Sequence, residues 1–205
     1  MKNMQPIIIQ KTRVLRPIEA IRLINSIPKR ESEIQFKFLL LTGMRYVEAK
    51  RFQRNPNWFD GNFIHLPKIA TKTGRKDMTL TKKKKEGEKV RKPRSQLERW
   101  IRLNPLGREI TKSFITLKKP LPTWQGWTSN LERWMRFAKL DPVGMSPKTT
   151  RKTWESWLVF YYPDKLTNIV LSQGHTTTTA IQHYLNMPFT EEDKKLMREF
   201  VEGWI

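Results

Sequence analysis

The chain of 205 residues contains no cysteine. Disulfides, thiol nucleophiles and every thiolate metal motif are excluded together. Histidine is nearly as scarce: His65, His175 and His183 are too scattered for a histidine metal cluster, and no H-E-x-x-H occurs. Long apolar runs are missing as well. No stretch approaches the roughly 18 residues of a membrane span, and the basic start MKNMQPIIIQKTRVLRP carries three isoleucines without a small-residue cleavage site. No lipidation motif is present. The expected protein is cytoplasmic, without a membrane partner, and its chemistry should need no metal and no other cofactor. The last deficit is in negative charge, with 19 Asp plus Glu against 40 Lys plus Arg and a net charge of +21. An excess of that size repels itself in the folded state and points to a polyanionic partner, most often nucleic acid.

What is present suffices for one packed domain. Hydrophobic residues make up 38% and aromatics 11% of the chain, enough to fill a core, and no repeat or long linker divides it. Pro17 opens PIEAIRLINSI, whose apolar positions 18, 21, 24 and 27 form a helical stripe that Pro28 ends. ESEIQFKFLLLTG reads as a second helix stopped near Gly43. Beyond NPNWFDG the pattern changes to short extended runs, NFIHLPKI and DMTLT, joined by ATKTGRK around Gly74, which predicts a hairpin with room for a third strand. RSQLERWIRL, WQGWTSNLERWMRFAKL and SPKTTRKTWESWLVFYY then read as helices with buried Trp, Leu and Phe, the last with Ser146 as N-cap and Pro147 behind it. Two or three shorter helices complete the chain from Asp164, ending in TEEDKKLMREFVEGWI. The fold class expected is a mainly helical α+β domain with a small antiparallel sheet.

Several residues could grip a phosphodiester. Arg45 follows a helix-ending glycine, Lys72 lies in the hairpin turn, and Lys148 and Arg151 are three apart, hence on one helical face. His175 and Tyr184 complete the group. Metal-free phosphoryl transfer needs positive donors around phosphorus, an in-line nucleophile and an acid for the departing oxygen. Arginine's planar fork bonds two non-bridging oxygens and stays charged. Tyrosine serves as a nucleophile where cations lower its pKa from about 10. Lysine on a hairpin could supply the acid. Taken singly, Tyr184 is a core tyrosine, Arg45 a surface charge and Lys72 one exposed lysine among many.

The order and spacing of these residues resemble those of the tyrosine recombinases, the phage integrases and their relatives, over nearly the whole chain. TGMRYVEA is similar to the family's first arginine box, TKTG to its lysine turn, and LSQGHTTTTAIQHY to the box that leads from histidine to the tyrosine nucleophile nine positions later. KTTR departs from the usual H-x-x-R, with Lys148 in the histidine place, as in integrases of archaeal viruses and plasmids. The resemblance implies that Tyr184 attacks a DNA phosphate to give a 3′-phosphotyrosyl link and a free 5′-hydroxyl. It further implies that Arg45 and Arg151 hold the non-bridging oxygens, Lys72 protonates the leaving oxygen, His175 and Lys148 support the phosphate, and Glu48 orients the first arginine. The implied fold is the family's catalytic domain, and the implied partners are double-stranded DNA at an attachment site and further copies of the chain, as a tetramer on paired sites. Without DNA a monomer is expected.

Nine residues at 100° each is half a turn out of phase, so His175 and Tyr184 cannot share one face of a straight helix. Tyr184 is therefore expected on a separate helix. Further DNA contacts are expected from Arg75 and Lys76 beside the hairpin turn and from the run Lys82, Lys83, Lys84 and Lys85. Trp58, Trp124 and Trp127 are weaker candidates. Tyr46, Tyr161 and Tyr162 read as core residues, and His65 and His183 as structural. With only 44 residues before Arg45, the family's preceding DNA-clamp domain is expected to be absent from residues 1–205. Leu196, Phe200 and Trp204 form a stripe on the last helix, residues 190–205, which packs either on a neighbouring protomer or on its own core. A type IB topoisomerase and a noncatalytic DNA-binding protein remain open as alternatives.

Overall fold

Helix starts and stops in this chain follow local chemistry. In the computed structural model, which describes residues 5–70, 98–174 and 187–205, Pro17 occupies the first turn of α1 (Pro17–Asn25), and the Glu19 carboxylate accepts the Arg16 backbone N–H at 2.9 Å. That carboxylate cap satisfies the free amide that enters the helix. Helix α2 (Arg30–Thr42) stops at Gly43, which has φ of 59°. Any side chain there would be strained, and a Cβ would lie 2.7 Å from Trp154 Cδ1 and 2.5 Å from Gln173 Oε1. The short α3 (Tyr46–Phe52) begins directly afterwards, with Arg45 as its N-cap.

The core is built around α2 and α6 (Thr149–Tyr161), which pack on each other. Phe36, Phe38, Leu39 and Leu40 from one and Trp154, Trp157 and Leu158 from the other are wholly buried. Helix α4 (Pro105–Thr116) covers α2 from another side, stacking Phe114 on Phe38 with ring centroids 3.8 Å apart. Asn104 caps that helix by accepting the Gly107 N–H at 2.8 Å. Helix α5 (Trp124–Phe137) adds Trp127 and Trp134, set edge to face. Trp127 is completely buried, which corrects its expected role as a DNA-contacting residue near a loop; Trp124, 48% exposed, stays at the surface. Helix α6 starts at Thr149 with Lys148 as N-cap, two residues later than Pro147 suggested. Ser146 still contributes, its hydroxyl accepting the Lys148 N–H at 3.3 Å.

Two small antiparallel sheets complete the frame. Strands β1 (Ile7–Ile9) and β2 (Thr12–Val14) form a hairpin across Gln10 and Lys11, both with positive φ as a tight two-residue turn requires. This hairpin, unanticipated from the sequence, docks on α6: Leu15 N–H donates to Thr153 Oγ1 at 3.0 Å and Trp157 Nε1 donates to the Leu15 carbonyl at 3.0 Å. Strands β3 (Phe63–Leu66) and β4 (Arg99–Arg102) pair with Phe63 opposite Arg102 and Leu66 opposite Arg99. The segment 94–103 was expected to be helical, and β4 corrects that over its described part. Arg99 and Ile101 point inward while Trp100 and Arg102 point outward, a period of two that pairing with β3 selects. The expected strand DMTLT lies outside the described residues.

Helix α7 (Leu166–Gln173) ends at Gly174, and α8 (Glu191–Val201) closes the fold. Thr190 and Asp193 cap α8 reciprocally, and Asp193 also pairs with the buried Arg16 of the α1 entry. Phe200 tilts onto Trp157 with centroids 5.1 Å apart, and Trp204 donates to the Arg102 carbonyl at 3.1 Å. These two members of the C-terminal stripe are thus taken up by the chain's own core, while Leu196 is half-buried. The described chain is a mainly helical α+β fold with eight helices and two two-stranded antiparallel sheets. Among the described residues no helix is long and apolar enough to cross a membrane.

Candidate active site

Glu48, the third residue of α3, is fully buried beside the N-cap of its own helix. Its Oε2 accepts the Arg45 backbone N–H at 3.0 Å, and its Oε1 accepts the Arg45 guanidinium, also at 3.0 Å. From the opposite side Arg99 of β4 lays both Nη groups on the same carboxylate, at 2.7 and 3.3 Å. Such a fork fixes the carboxylate plane as well as its position. Burial alone would push the Glu48 pKa up, but the charges of Arg99, Arg45 and Arg151 and the Arg99 hydrogen bond prevail and hold it at about 2. Glu48 is therefore an anion across the neutral range.

Arg151 enters the same cluster from α6. Its Nη1 donates to the Gly43 carbonyl at 2.7 Å and to Gln173 Oε1 at 3.3 Å, and its Nη2 donates to the Gln173 carbonyl and meets Glu155 Oε1 at 2.7 Å. Gly43 ends α2 and Gln173 ends α7, so one guanidinium lies between two helix C-termini, where dipoles and unpaired carbonyls favour a cation. Gln173 Nε2 donates to the Thr42 carbonyl at 3.3 Å and joins the two ends directly. Desolvation pushes Arg151 down to about 10, with Glu155 raising it and Arg45 and Arg99 lowering it, so it stays protonated at neutral pH.

Arg99 performs the equivalent service one residue earlier on α7. Its Nε donates to the Ser172 carbonyl at 3.2 Å, while Ser172 Oγ accepts the Arg102 N–H at 3.1 Å. The chain then turns at Gly174, with φ of 68°, where a Cβ would come within 2.9 Å of Arg99 Cδ. Three guanidiniums and two carboxylates thus form two ion-paired groups, Arg45–Glu48–Arg99 and Arg151–Glu155, close enough to feel each other's charge and together carrying +1. Arg45 is the most accessible of these cations: its side chain is 17% exposed, against 4% for Arg99 and 7% for Arg151. An anion arriving from solvent would meet Arg45 first.

The fold therefore brings Arg45, Glu48 and Arg151 together from distant parts of the chain. Lys148 is exposed at the N-terminal end of α6, one turn before Arg151. Lys72, Arg75, Lys76, Lys82, Lys83, Lys84, Lys85, His175, His183 and Tyr184 lie outside the described residues. Tyr46 is buried, donates to the Pro122 carbonyl at 2.9 Å and has its phenol pKa raised by desolvation, opposite to what a nucleophile needs. His65 stacks on Trp100 with centroids 4.4 Å apart. Three members of the network were not singled out from sequence. Glu155 follows Arg151 by four residues, a readable ion-pair spacing. Gln173 and Arg99 carry no such signal.

No protein-family model matches this chain, and no curated protein matches it.

Proposed function

We propose that this chain acts on DNA as a tyrosine recombinase catalytic domain, breaking and rejoining strands through a covalent 3′-phosphotyrosyl intermediate to integrate or excise a viral or plasmid genome. The observation that carries the proposal is that Arg151 bonds to the Gly43 carbonyl, 108 positions away in sequence and two residues before Arg45, close enough for the charges of Arg45 and Glu48 to act on it. Arg45 and Arg151 are the two arginines that the ordered boxes assign to a phosphate, and Glu48, assigned to orient the first, holds it through both backbone and side chain. The net charge of +21 supports a polyanionic partner.

In this mechanism Tyr184 loses its phenol proton to solvent and its Oη attacks phosphorus, forming the phosphotyrosyl bond as the bond to the 5′-oxygen breaks, and Lys72 delivers a proton to that oxygen. Arg45 and Arg151 neutralise charge growing on the non-bridging oxygens, with Lys148 and His175 beside them. The bond energy is conserved, so a 5′-hydroxyl from another strand reverses the step on a new partner. Tetramer assembly on paired sites belongs to the same proposal.

The test is a nicked suicide duplex followed by a denaturing gel. Covalent protein–DNA adduct is expected with the native chain, in EDTA as well as without it, and none with Tyr184→Phe. DNA binding that persists without any adduct would refute the catalytic reading. One observation favours that second reading, a noncatalytic DNA-binding protein: both Nη groups of Arg151 already donate to the protein. In the catalytic reading Arg151 must exchange Gln173 or Glu155 for phosphate oxygen.

A further inference from the structure

We infer that Arg99 is a positioning residue of this site, holding Glu48, and through it Arg45, in register with the end of α7 from which His175 and Tyr184 follow. The inference rests on the recombinase proposal for its chemistry, but its geometry stands separately. Arg99 touches three parts of the site at once. Its two Nη groups span the Glu48 carboxylate, its Nε takes the Ser172 carbonyl at 3.2 Å, and its Cδ lies where a Gly174 side chain would have to go.

A carboxylate shared by two arginines is held in one orientation only if both remain. Without Arg99, Glu48 would keep its two bonds to Arg45 but lose its anchor to β4, and α7 would lose the cation at its Ser172 carbonyl. Arg99 is also the first residue of β4, which follows the Lys72 segment in sequence. One side chain thus ties the strand that follows the lysine segment, the first arginine box and the end of α7 to a single point. Lysine could not replace it, because a single ammonium cannot bridge both Glu48 oxygens and reach Ser172 as well.

The test measures adduct formation at saturating nicked duplex for R99M, R99K, E48Q and the double variant R99M/E48Q, with thermal melts and DNA affinity read in parallel. R99M should slow the first-order step roughly tenfold to a hundredfold, the range expected when a reacting group is misplaced by about an ångström. Affinity should change less than about threefold, and the double variant should be about as slow as E48Q alone, since both act through one route. R99K should be intermediate, and it carries the comparison if R99M does not fold. Native rate in folded R99M, or full rate in R99K, overturns the inference. Absence of any Tyr184-dependent adduct in the native chain would instead sink the recombinase proposal. The positioning role is then read by NMR from the Arg45 Nε–H, identified as the signal lost in R45K. Faster solvent exchange of that proton in R99K sustains the role, and unchanged exchange overturns it.

Discussion

Replacing Glu48 by glutamine keeps the shape of the side chain and deletes its charge. The carboxylate is fully buried and accepts from Arg45 N–H, Arg45 Nη1 and both Nη groups of Arg99. A glutamine amide can keep acceptors on one atom only, and its NH2 would face a guanidinium donor. Arg99, 4% exposed, would be left as a buried cation without its carboxylate. Removing one partner of a buried pair costs about 3–5 kcal/mol, a large share of the roughly 5–15 kcal/mol that holds a domain together. Urea denaturation at pH 7 should show the midpoint falling with the slope unchanged.

The pH dependence has a definite sign. Glu48 is lowered from 4.5 to about 2 on folding, so its contribution is complete above 4.5 and is lost as pH falls through the folded value. The gap between the native chain and E48Q should therefore shrink by about 2 kcal/mol from pH 4.5 down to about pH 3, at about 1.4 kcal/mol per pH unit. A gap below about 1 kcal/mol at neutral pH, or one that stays constant down to pH 3, would refute the assignment of Glu48 as the buried anion of this network.

Gly43→Ala should destabilise by about 2–4 kcal/mol, combining a left-handed backbone with a methyl group driven onto Trp154 and Gln173; a loss under about 1 kcal/mol in the same assay would mean the α2–α6–α7 junction is loose. Phe114→Ala removes the ring stacked on Phe38 and should cost about 3–5 kcal/mol by thermal or chemical melts. Asp193→Asn breaks both the Arg16 pair and the charged half of the α8 cap, and should expose α8 amides to hydrogen exchange before those of α6. Simultaneous exchange of both helices would show that the Arg16 pair does not set the local stability of α8.

Much of the frame was legible where apolar spacing and end signals coincide. Pro17 and Gly43 bracket α1 and α2 almost where the structure has them, and the tryptophan-rich helices α5 and α6 appear with ends shifted by a few residues. Failures occurred where a short element depends on a distant partner. Ile7–Ile9 is too brief to read as a strand without Thr12–Val14 opposite it, and Arg99–Arg102 shows helical spacing to its neighbours until β3 imposes alternation. Helix α4 went unnoticed although Asn104 and Pro105 supply its cap and first turn. The site divides in the same way. Arg45, Glu48 and Arg151 could be picked out because each lies in a local box, whereas Arg99 and Gln173 act through contacts between 22 and 131 positions away.

That division explains how a chain of +21 can bury arginines at all. Arg99 and Arg151 give little to the external field, since each is neutralised by carboxylates and by carbonyls at helix ends. Their work is internal: they satisfy the backbone groups that α2 and α7 leave unpaired, and so make two helix termini meet. Arg45 differs in having both an internal anchor at Glu48 and an exposed edge. An arginine held on one side and open on the other is preorganised for an anion, because the reorganisation needed to bind has been completed by folding. Stability and anion recognition at this site thus run through the same carboxylate, and a change at Glu48 should alter both together.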